Sequence, residues 1–156
     1  MLIIGILAAV ALPQYERAVM KSRYAMLMSL TETLAEAEEI YFLEHGEYTR
    51  NFEALAIPPL GCEISSDKRK CYYSWGSCSL DTNADDSVAC INQSFLNNGY
   101  AHYLKNGKYS SWGRRCWSFS LQITDKYNKL CEQVSGTSQS QAASCPPHGD
   151  CRVYPL

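Results

Sequence analysis

The chain opens with residues 1–15, MLIIGILAAVALPQY, and from Met1 to Leu12 the run is apolar without interruption. As a helix this run would measure about 18 Å, against about 30 Å for the hydrocarbon core of a bilayer, so it cannot cross a membrane alone. Three interpretations remain open at this point. The run could be the core of a signal peptide, since Ala9-Val10-Ala11 resembles a cleavage triplet although no basic residue precedes it. It could also be a buried helix of the domain, or the end of a longer membrane segment.

The residues that follow predict a long amphipathic helix. Residues 14–45 contain neither Gly nor a further Pro, and we expect Pro13 to kink the helix rather than end it. His45-Gly46 predicts the end, with Gly46 as the C-cap. Such a helix would measure about 68 Å, more than a domain of this size needs, which indicates a partner outside the domain. Its apolar stripe, at steps of three or four, is Met20, Tyr24, Leu27, Leu30, Leu34, Ala37 and Tyr41, and the face predicted to lie opposite carries Lys21, Glu32, Glu36 and Glu39.

Three segments carry a resemblance to a known family. Residues 5–15, GILAAVALPQY, closely resemble the point at which the hydrophobic helix of type IV pilins and of type II secretion pseudopilins passes into an amphipathic helix. Residues 38–49, EEIYFLEHGEYT, resemble the family's helix exit, and residues 51–57, NFEALAI, resemble its short helical turn before the αβ-loop. The resemblance covers residues 1–60 and weakens to a general architecture beyond them.

The resemblance implies that the N-terminal helix mediates assembly. Gly5 and Pro13 would let the helix loosen locally. The family's leader peptide, its cleavage site before an N-methylated Phe and its Glu near the new N-terminus have no counterpart in the sequence. The match implies that about nine further residues precede Met1 and bring the apolar segment to about 21 residues, the length that a bilayer requires. The expected assembly residues are Leu2, Ile3, Ile4, Gly5, Ile6, Leu7, Val10, Leu12, Pro13 and Tyr15.

The eight cysteines all lie after residue 61 and predict a disulfide framework formed in an oxidising compartment. Zinc is the alternative, but zinc sites favour closely paired thiolates such as C-x2-C, and no such pair is present. The pairing stays open, since four bridges allow 105 connectivities. The cysteines are Cys62, Cys71, Cys78, Cys90, Cys116, Cys131, Cys145 and Cys151.

The predicted fold class is α+β, with the long N-terminal helix packed on a small antiparallel sheet in the type IV pilin fold. We divide the chain into an assembly helix, residues 1–46, and a globular head, residues 47–156. Within the head, an αβ-loop region is expected at 47–98, the sheet at 99–123 and a disulfide-bonded region at 124–156.

Three local patterns define the elements of the head. Residues 99–112 predict a β-hairpin on the Asn106-Gly107 turn, because aromatic-rich arms flank a favoured hairpin dipeptide. Residues 116–123 alternate in polarity and predict a strand. Thr124 is predicted to cap a short helix that runs to Val134 and stops at Gly136.

Candidate sites of chemistry are few. Asp81, Asn83 and Asp85 place oxygen ligands at alternate positions, as at the start of a calcium loop, but Asp86 and Asn92 stand where such a loop has Gly and Glu, so a solvated acidic turn is favoured. No catalytic motif and no cofactor is indicated. The net charge of -2 argues against a general nucleic-acid binder.

The resemblance therefore implies a structural subunit, not an enzyme, that polymerises into a type IV pilus-like extracellular filament used in adhesion, motility or DNA uptake. Its expected partners are copies of itself in a helical homopolymer, the inner-membrane pilus assembly machinery and, before assembly, the lipid bilayer; no nucleic acid is expected. The expected location is the bacterial inner membrane and then the cell surface. Because one face of the helix serves the chain's own head, we expect Arg23, Met26, Met28 and Glu38 to meet neighbouring subunits.

Three alternatives stay open. The chain could be a pseudopilin of a type II secretion system, although the rich cysteine set favours a surface-exposed pilus. It could be a minor pilin at a filament tip that binds DNA or sugar. A monomeric binding module held by a signal anchor is the alternative from a different functional class.

Overall fold

The computed structural model describes residues 2–80, 85–92, 98–120, 122, 125–144 and 150–156, and its architecture is α+β. The side chains of residues 2–10, 144 and 150 lie outside this description. In chain order the elements are α1 (Leu2–His45), a 3₁₀ turn (Phe52–Ala54), β1 (Glu63–Ile64), β2 (Lys70–Tyr73), β3 (Gly76–Leu80), β4 (Ser87–Asn92), β5 (Asn98–Tyr103), a second 3₁₀ turn (Ser110–Trp112), β6 (Arg114–Ser118), α2 (Lys126–Ser135), β7 (Gln141–Ser144) and β8 (Asp150–Pro155).

Within the described residues, eight strands form one antiparallel sheet in the order β1-β2-β3-β4-β5-β6-β8-β7. The first six strands pair with their neighbours in sequence, and β8 then pairs with β6, which leaves β7 at the edge. In the middle of the sheet Ala89 lies opposite Ala101, and Gly99 lies opposite Trp117. The α+β class and the antiparallel pairing are confirmed, and the sheet is larger than the sequence predicted.

Helix α1 runs without interruption from Leu2 to His45 and includes Pro13. It ends where the sequence predicts, because Gly46 adopts a positive φ of 78° and donates its N–H to the Phe42 carbonyl at 2.8 Å. A residue with a Cβ would be strained in this left-handed conformation, so glycine suits the C-cap. The predicted helical turn after the exit is also present, capped by the Asn51 side chain, which accepts from the N–H of Glu53.

The core lies between α1 and the middle of the sheet. Tyr24, Leu27 and Leu34 are buried against β4 and β5, where Val88 and Cys90 belong to the same apolar cluster. Burial of each large apolar side chain contributes about 1.5–3 kcal/mol. Side chains alternate between the two faces of a strand, so Ala89 and its cross-strand partner Ala101 lie on the opposite face from Val88 and Cys90. They belong to a second apolar cluster, against which Tyr109 and Trp117 pack. The central strands are thus buried on both faces.

The region 47–98, predicted as the αβ-loop, contains four strands, β1 to β4. The C-terminal region 124–156 supplies two more, β7 and β8, so the sheet is not confined to 99–123. These strands are short and rich in Cys, Ser and Tyr. Their apolar alternation is too weak to distinguish them from a polar loop in the sequence alone.

The predicted hairpin is correct in its pairing and wrong in its second arm. β5 and β6 pair as a hairpin, but residues 104–113 between them form a loop with a 3₁₀ turn, and Asn106-Gly107 is not a two-residue turn. The predicted strand 116–123 is shorter and begins earlier in the chain, at Arg114–Ser118.

Gly107, in the loop between β5 and β6, is packed too tightly against Asp86 for a side chain, since an added Cβ would approach the Asp86 Cβ to 2.5 Å.

Helix α2 begins one residue later than predicted. Its N-cap is Asp125, whose carboxylate accepts from the N–H of Tyr127 at 3.0 Å, while the predicted cap, Thr124, lies outside the described residues. The predicted stop is confirmed, because Gly136 caps the helix in the left-handed conformation with φ 70°. Asn128 fixes α2 to the head by donating to the Ser120 carbonyl at 2.7 Å and accepting from the Tyr154 hydroxyl at 3.0 Å.

Three disulfides join described residues, in agreement with the predicted framework. They are Cys62–Cys71, Cys78–Cys90 and Cys116–Cys131. Cys78 and Cys90 are direct cross-strand partners in β3 and β4, and the third bridge fastens α2 to β6. Cys151 is also disulfide-bonded, and Cys145 lies outside the described residues.

Candidate assembly surface

Helix α1 begins well before the first of its described side chains that packs on the head. Met20 is the first described side chain of α1 that packs against the core, whereas residues 11–18 are exposed. The part of the helix before Met20, Leu2–Val19, measures about 27 Å at 1.5 Å per residue. Among the described side chains of α1, the chain's own head therefore covers those from Met20 onward and leaves residues 11–18 in solvent.

The side of α1 that faces away from the head carries exposed apolar residues in a regular pattern. Leu12, Tyr15, Met26, Ile40 and Leu43 are large hydrophobic side chains left in solvent. They fall on two interleaved series with a spacing of seven, which is the a/d pattern of helices that pack side by side. We call this surface the α1 seam; its ten positions are Leu12, Tyr15, Val19, Ser22, Met26, Ser29, Thr33, Glu36, Ile40 and Leu43.

The predicted assembly residues lie in the N-terminal part of this helix. Leu12, Pro13 and Tyr15 are exposed. Leu2, Ile3, Ile4, Gly5, Ile6, Leu7 and Val10 lie on the same helix, and their side chains lie outside the described part of the chain.

The four residues expected to meet neighbouring subunits have different positions. Met26 is exposed and belongs to the seam. Glu38 is only 1% exposed, and its Oε2 accepts from the Thr49 N–H at 2.9 Å, so that prediction is wrong. Met28 is half-buried against the chain's own core, and Arg23 is half-buried as well. Glu38 and Met28 lie beside the apolar stripe of α1. A wide sheet covers such neighbouring positions as well as the stripe itself, which explains their burial.

Glu32 connects α1 to the head through a cluster of polar side chains. Its carboxylate accepts from the Tyr100 hydroxyl, lies 2.9 Å from Nδ1 of His102, and is bridged by Arg114 at 3.0 Å from Nε and 3.1 Å from Nη2. The prediction that Glu32 lies opposite the packed face is wrong. Burial, together with the hydrogen bond and charge of Glu32, raises the pKa of the Tyr100 hydroxyl well above its usual value, while Arg114 acts in the opposite direction.

A second polar contact fastens the end of α1. Oε1 of Glu39 accepts from the Tyr48 hydroxyl at 3.1 Å and from the Lys105 N–H at 2.8 Å, and the Tyr48 oxygen accepts from the Asn106 N–H at 3.0 Å. Glu39, like Glu32, therefore faces the head and not the opposite side. These contacts, with the Glu32 cluster, fasten α1 to β5, to the loop after it and to Arg114 of β6, and none of them involves an exposed apolar residue of the seam.

Reasoning from the sequence did not identify Arg114 and Lys105 as partners of α1, and it did not identify Glu32 as a residue that bonds to the head. The available signal was weak: Glu32 stands one helical turn before Glu36, at the edge of the apolar stripe, and at the edge of a stripe a carboxylate can turn to either side. Their partners come from strands far along the chain, and no spacing in the sequence reveals such contacts.

The candidate acidic turn and the three histidines fall in separate parts of the chain. Asp81 and Asn83 lie outside the described residues, and the Oδ1 of the buried Asp85 accepts from the Ser87 hydroxyl at 2.7 Å. Among the described residues no group of three His, Cys, Asp or Glu side chains could hold a metal ion. His45 stacks on Tyr41 at the helix C-terminus, where it lies 3.1 Å from the Tyr41 carbonyl. His148 lies outside the described residues.

Comparison with known proteins identifies no family. No protein-family model, no curated protein and no solved structure matches the chain. Within the described part of the chain, no helix combines the length and the apolar character needed to cross a membrane.

Proposed function

We propose that this chain is the structural subunit of a type IV pilus-like filament, in which copies pack through α1 and carry their heads on the outside. The observation that carries the proposal is the α1 seam, on which five exposed apolar side chains occupy positions with heptad spacing. In this proposal the helix on an antiparallel sheet is the type IV pilin fold. The N-terminal sequence, GILAAVALPQY, supports that assignment.

Burial of the seam would drive assembly. Leu12, Tyr15, Met26, Ile40 and Leu43 stand in water in the single chain, and large exposed apolar surfaces mark sites of association. Ser22 and Ser29, also on the seam, are small enough to let a second helix approach closely. Neighbouring helices that repeat this contact would form a continuous core.

The head is suited to the outside of such a filament. Its disulfides restrict the unfolded chain and persist in oxidising surroundings, which fits a surface-exposed polymer. The partners in this proposal are other copies of the chain, the inner-membrane machinery that assembles pili, and the bilayer that would hold the helix beforehand. The location is accordingly the bacterial inner membrane and then the cell surface.

A matched pair of substitutions tests the proposal. Leu43, on the seam, is 84% exposed and Leu60, in a loop of the head, is 88% exposed, so Asp at either position should leave the isolated fold intact. We expect Leu43→Asp to reduce filament formation by the full-length chain at least tenfold, because a charge would be buried between helices. Leu60→Asp should assemble like the unsubstituted chain. Sedimentation and negative-stain electron microscopy provide the readout, and circular dichroism checks the fold.

The result that contradicts the proposal is equally direct. If Leu43→Asp and Leu60→Asp assemble equally well, the seam does not pack between subunits. If the unsubstituted chain, purified in detergent, stays monomeric at every concentration after the detergent is removed, the filament proposal fails and a monomeric binding module takes its place.

A further inference from the structure

A groove between α1 and α2 is lined mainly by positively charged side chains. It has a volume of about 310 Å³ and opens where α1 leaves the head. Four of its seven lining residues are cations, none is acidic, and the chain as a whole has a net charge of -2. All four cations are exposed, and none of them takes part in the ion pairs reported between described residues. This basic groove is lined by Arg17, Met20, Lys21, Lys126, Lys129, Leu130 and Gln133.

The C-terminal part of α1 and the residues just after it carry the complementary charge. Residues 32–47 include six glutamates and no Lys or Arg. Three of the six, Glu32, Glu38 and Glu39, bond to the chain's own head. The other three are exposed and take part in none of the hydrogen bonds or ion pairs recorded among the described residues. This acidic exit consists of Glu36, Glu44 and Glu47.

We propose that the basic groove of one copy binds the acidic exit of a second copy. The inference rests on the proposed filament function and adds what sets the register of neighbouring subunits. The occupant is another copy of this chain because one chain carries both complementary charges, the groove cations beside the middle of α1 and the glutamates near its C-terminal end, and Glu36 also belongs to the seam through which the helices pack. The two surfaces differ, so the contact is heterologous and does not close on itself, which is the arrangement that generates filaments.

The geometry gives an axial stagger. Lys21 precedes Glu36 by 15 residues and Glu44 by 23 residues along α1. At 1.5 Å per residue the corresponding shift between parallel helices is about 22–35 Å. A shift of three heptads, about 32 Å, lies within this range and keeps the seam positions of the two helices in register.

The charges would decide register more than affinity. Exposed ion pairs contribute little free energy each and are screened by salt, whereas the seam supplies the apolar burial. A like charge placed opposite a like charge suppresses the wrong pairing. The stagger should therefore depend on these groups even though the seam provides most of the stability.

Charge reversal on either side tests the proposal. In the full-length chain, Lys21→Glu/Lys129→Glu reverses the groove and Glu36→Lys/Glu44→Lys reverses the exit. We expect each variant alone to need at least a tenfold higher concentration than the unsubstituted chain to form filaments in low salt. An equimolar mixture of the two should recover assembly, because each groove then meets an exit of opposite charge. Lys70→Glu/Lys108→Glu, at exposed lysines of the head, is the control and should assemble normally.

The outcomes separate this inference from the proposed function. If both reversed variants assemble like the unsubstituted chain while Leu43→Asp does not, the charge pairing is refuted and the filament function stands. If the mixture fails to recover assembly, the pairing is also refuted. If the groove variant assembles normally but loses binding to phosphatidylglycerol vesicles, the groove serves a lipid headgroup instead of a second copy. If the unsubstituted chain never assembles, both proposals fail.

Discussion

Replacing Glu32 with Ala should destabilise the fold far more than the same change at Glu36. Glu32 is the acceptor for Tyr100, His102 and Arg114, whereas Glu36 stands one turn later on the same helix and is exposed. The two positions have the same residue type and nearly the same helical context. Their difference therefore isolates the contacts that fasten α1 to the sheet.

The size of the effect follows from the burial of each partner. A hydrogen bond to a charged group contributes about 1.5–3 kcal/mol, which we assign to the Tyr100 hydroxyl. The Arg114 side chain is 56% exposed, so its ion pair contributes at most about 1 kcal/mol. His102 adds a contact of similar size at most. Alanine regains about 0.4 kcal/mol of helix propensity at either position. We therefore expect Glu32→Ala to lower the free energy of unfolding by about 1–4.5 kcal/mol and Glu36→Ala to change it by less than about 0.5 kcal/mol.

Urea unfolding followed by circular dichroism measures both variants under identical conditions. Glu32→Gln is a useful third variant, since its amide oxygen can still accept from Tyr100 and should retain part of the stability. Equal midpoints for Glu32→Ala and Glu36→Ala would refute the reasoning, because they would mean that the polar cluster does not fasten the helix.

Two further predictions concern the head. Removing the third bridge with Cys116→Ala/Cys131→Ala, which opens a loop with a sequence separation of 15, should lower the free energy of unfolding by about 3 kcal/mol in urea titrations; an unchanged midpoint would contradict it. Above pH 10 the fold should lose stability. Burial raises the pKa of the Tyr100 hydroxyl in the folded chain above its unfolded value near 10. The free energy that the protonated hydroxyl contributes to folding is therefore fully present below about pH 10 and declines as the pH rises above 10. Urea midpoints measured from pH 8 to 11 should fall less steeply for Tyr100→Phe than for the unsubstituted chain, and equal slopes would refute the assignment.

The sequence predicted those features that local chemistry determines. The ends of both helices, at Gly46 and Gly136, follow from glycine at a C-cap, and both are present. The buried stripe of α1 follows from helical periodicity, as Tyr24, Leu27 and Leu34 show. The disulfide framework followed from the number and position of the cysteines.

What the sequence missed depends on contacts between distant residues. The strands β1 to β4 are short and mixed in polarity, and they are defined by pairing and by bridges such as Cys78–Cys90, not by a local pattern. Glu38 was predicted to face other subunits because it interrupts the apolar stripe that serves the chain's own head, yet it is buried, and its carboxylate accepts from the Thr49 N–H. The basic groove combines residues of α1 and α2 that are more than 100 positions apart in the chain.

The most direct test of the central proposal is an electron cryo-microscopy reconstruction of the particles that the full-length chain forms when detergent is removed. The account predicts helical filaments with α1 at the axis, the seam residues Leu12, Met26 and Ile40 buried between neighbouring helices, and the disulfide-bonded heads outside. Particles that remain single chains, or filaments in which the seam faces solvent, would contradict it.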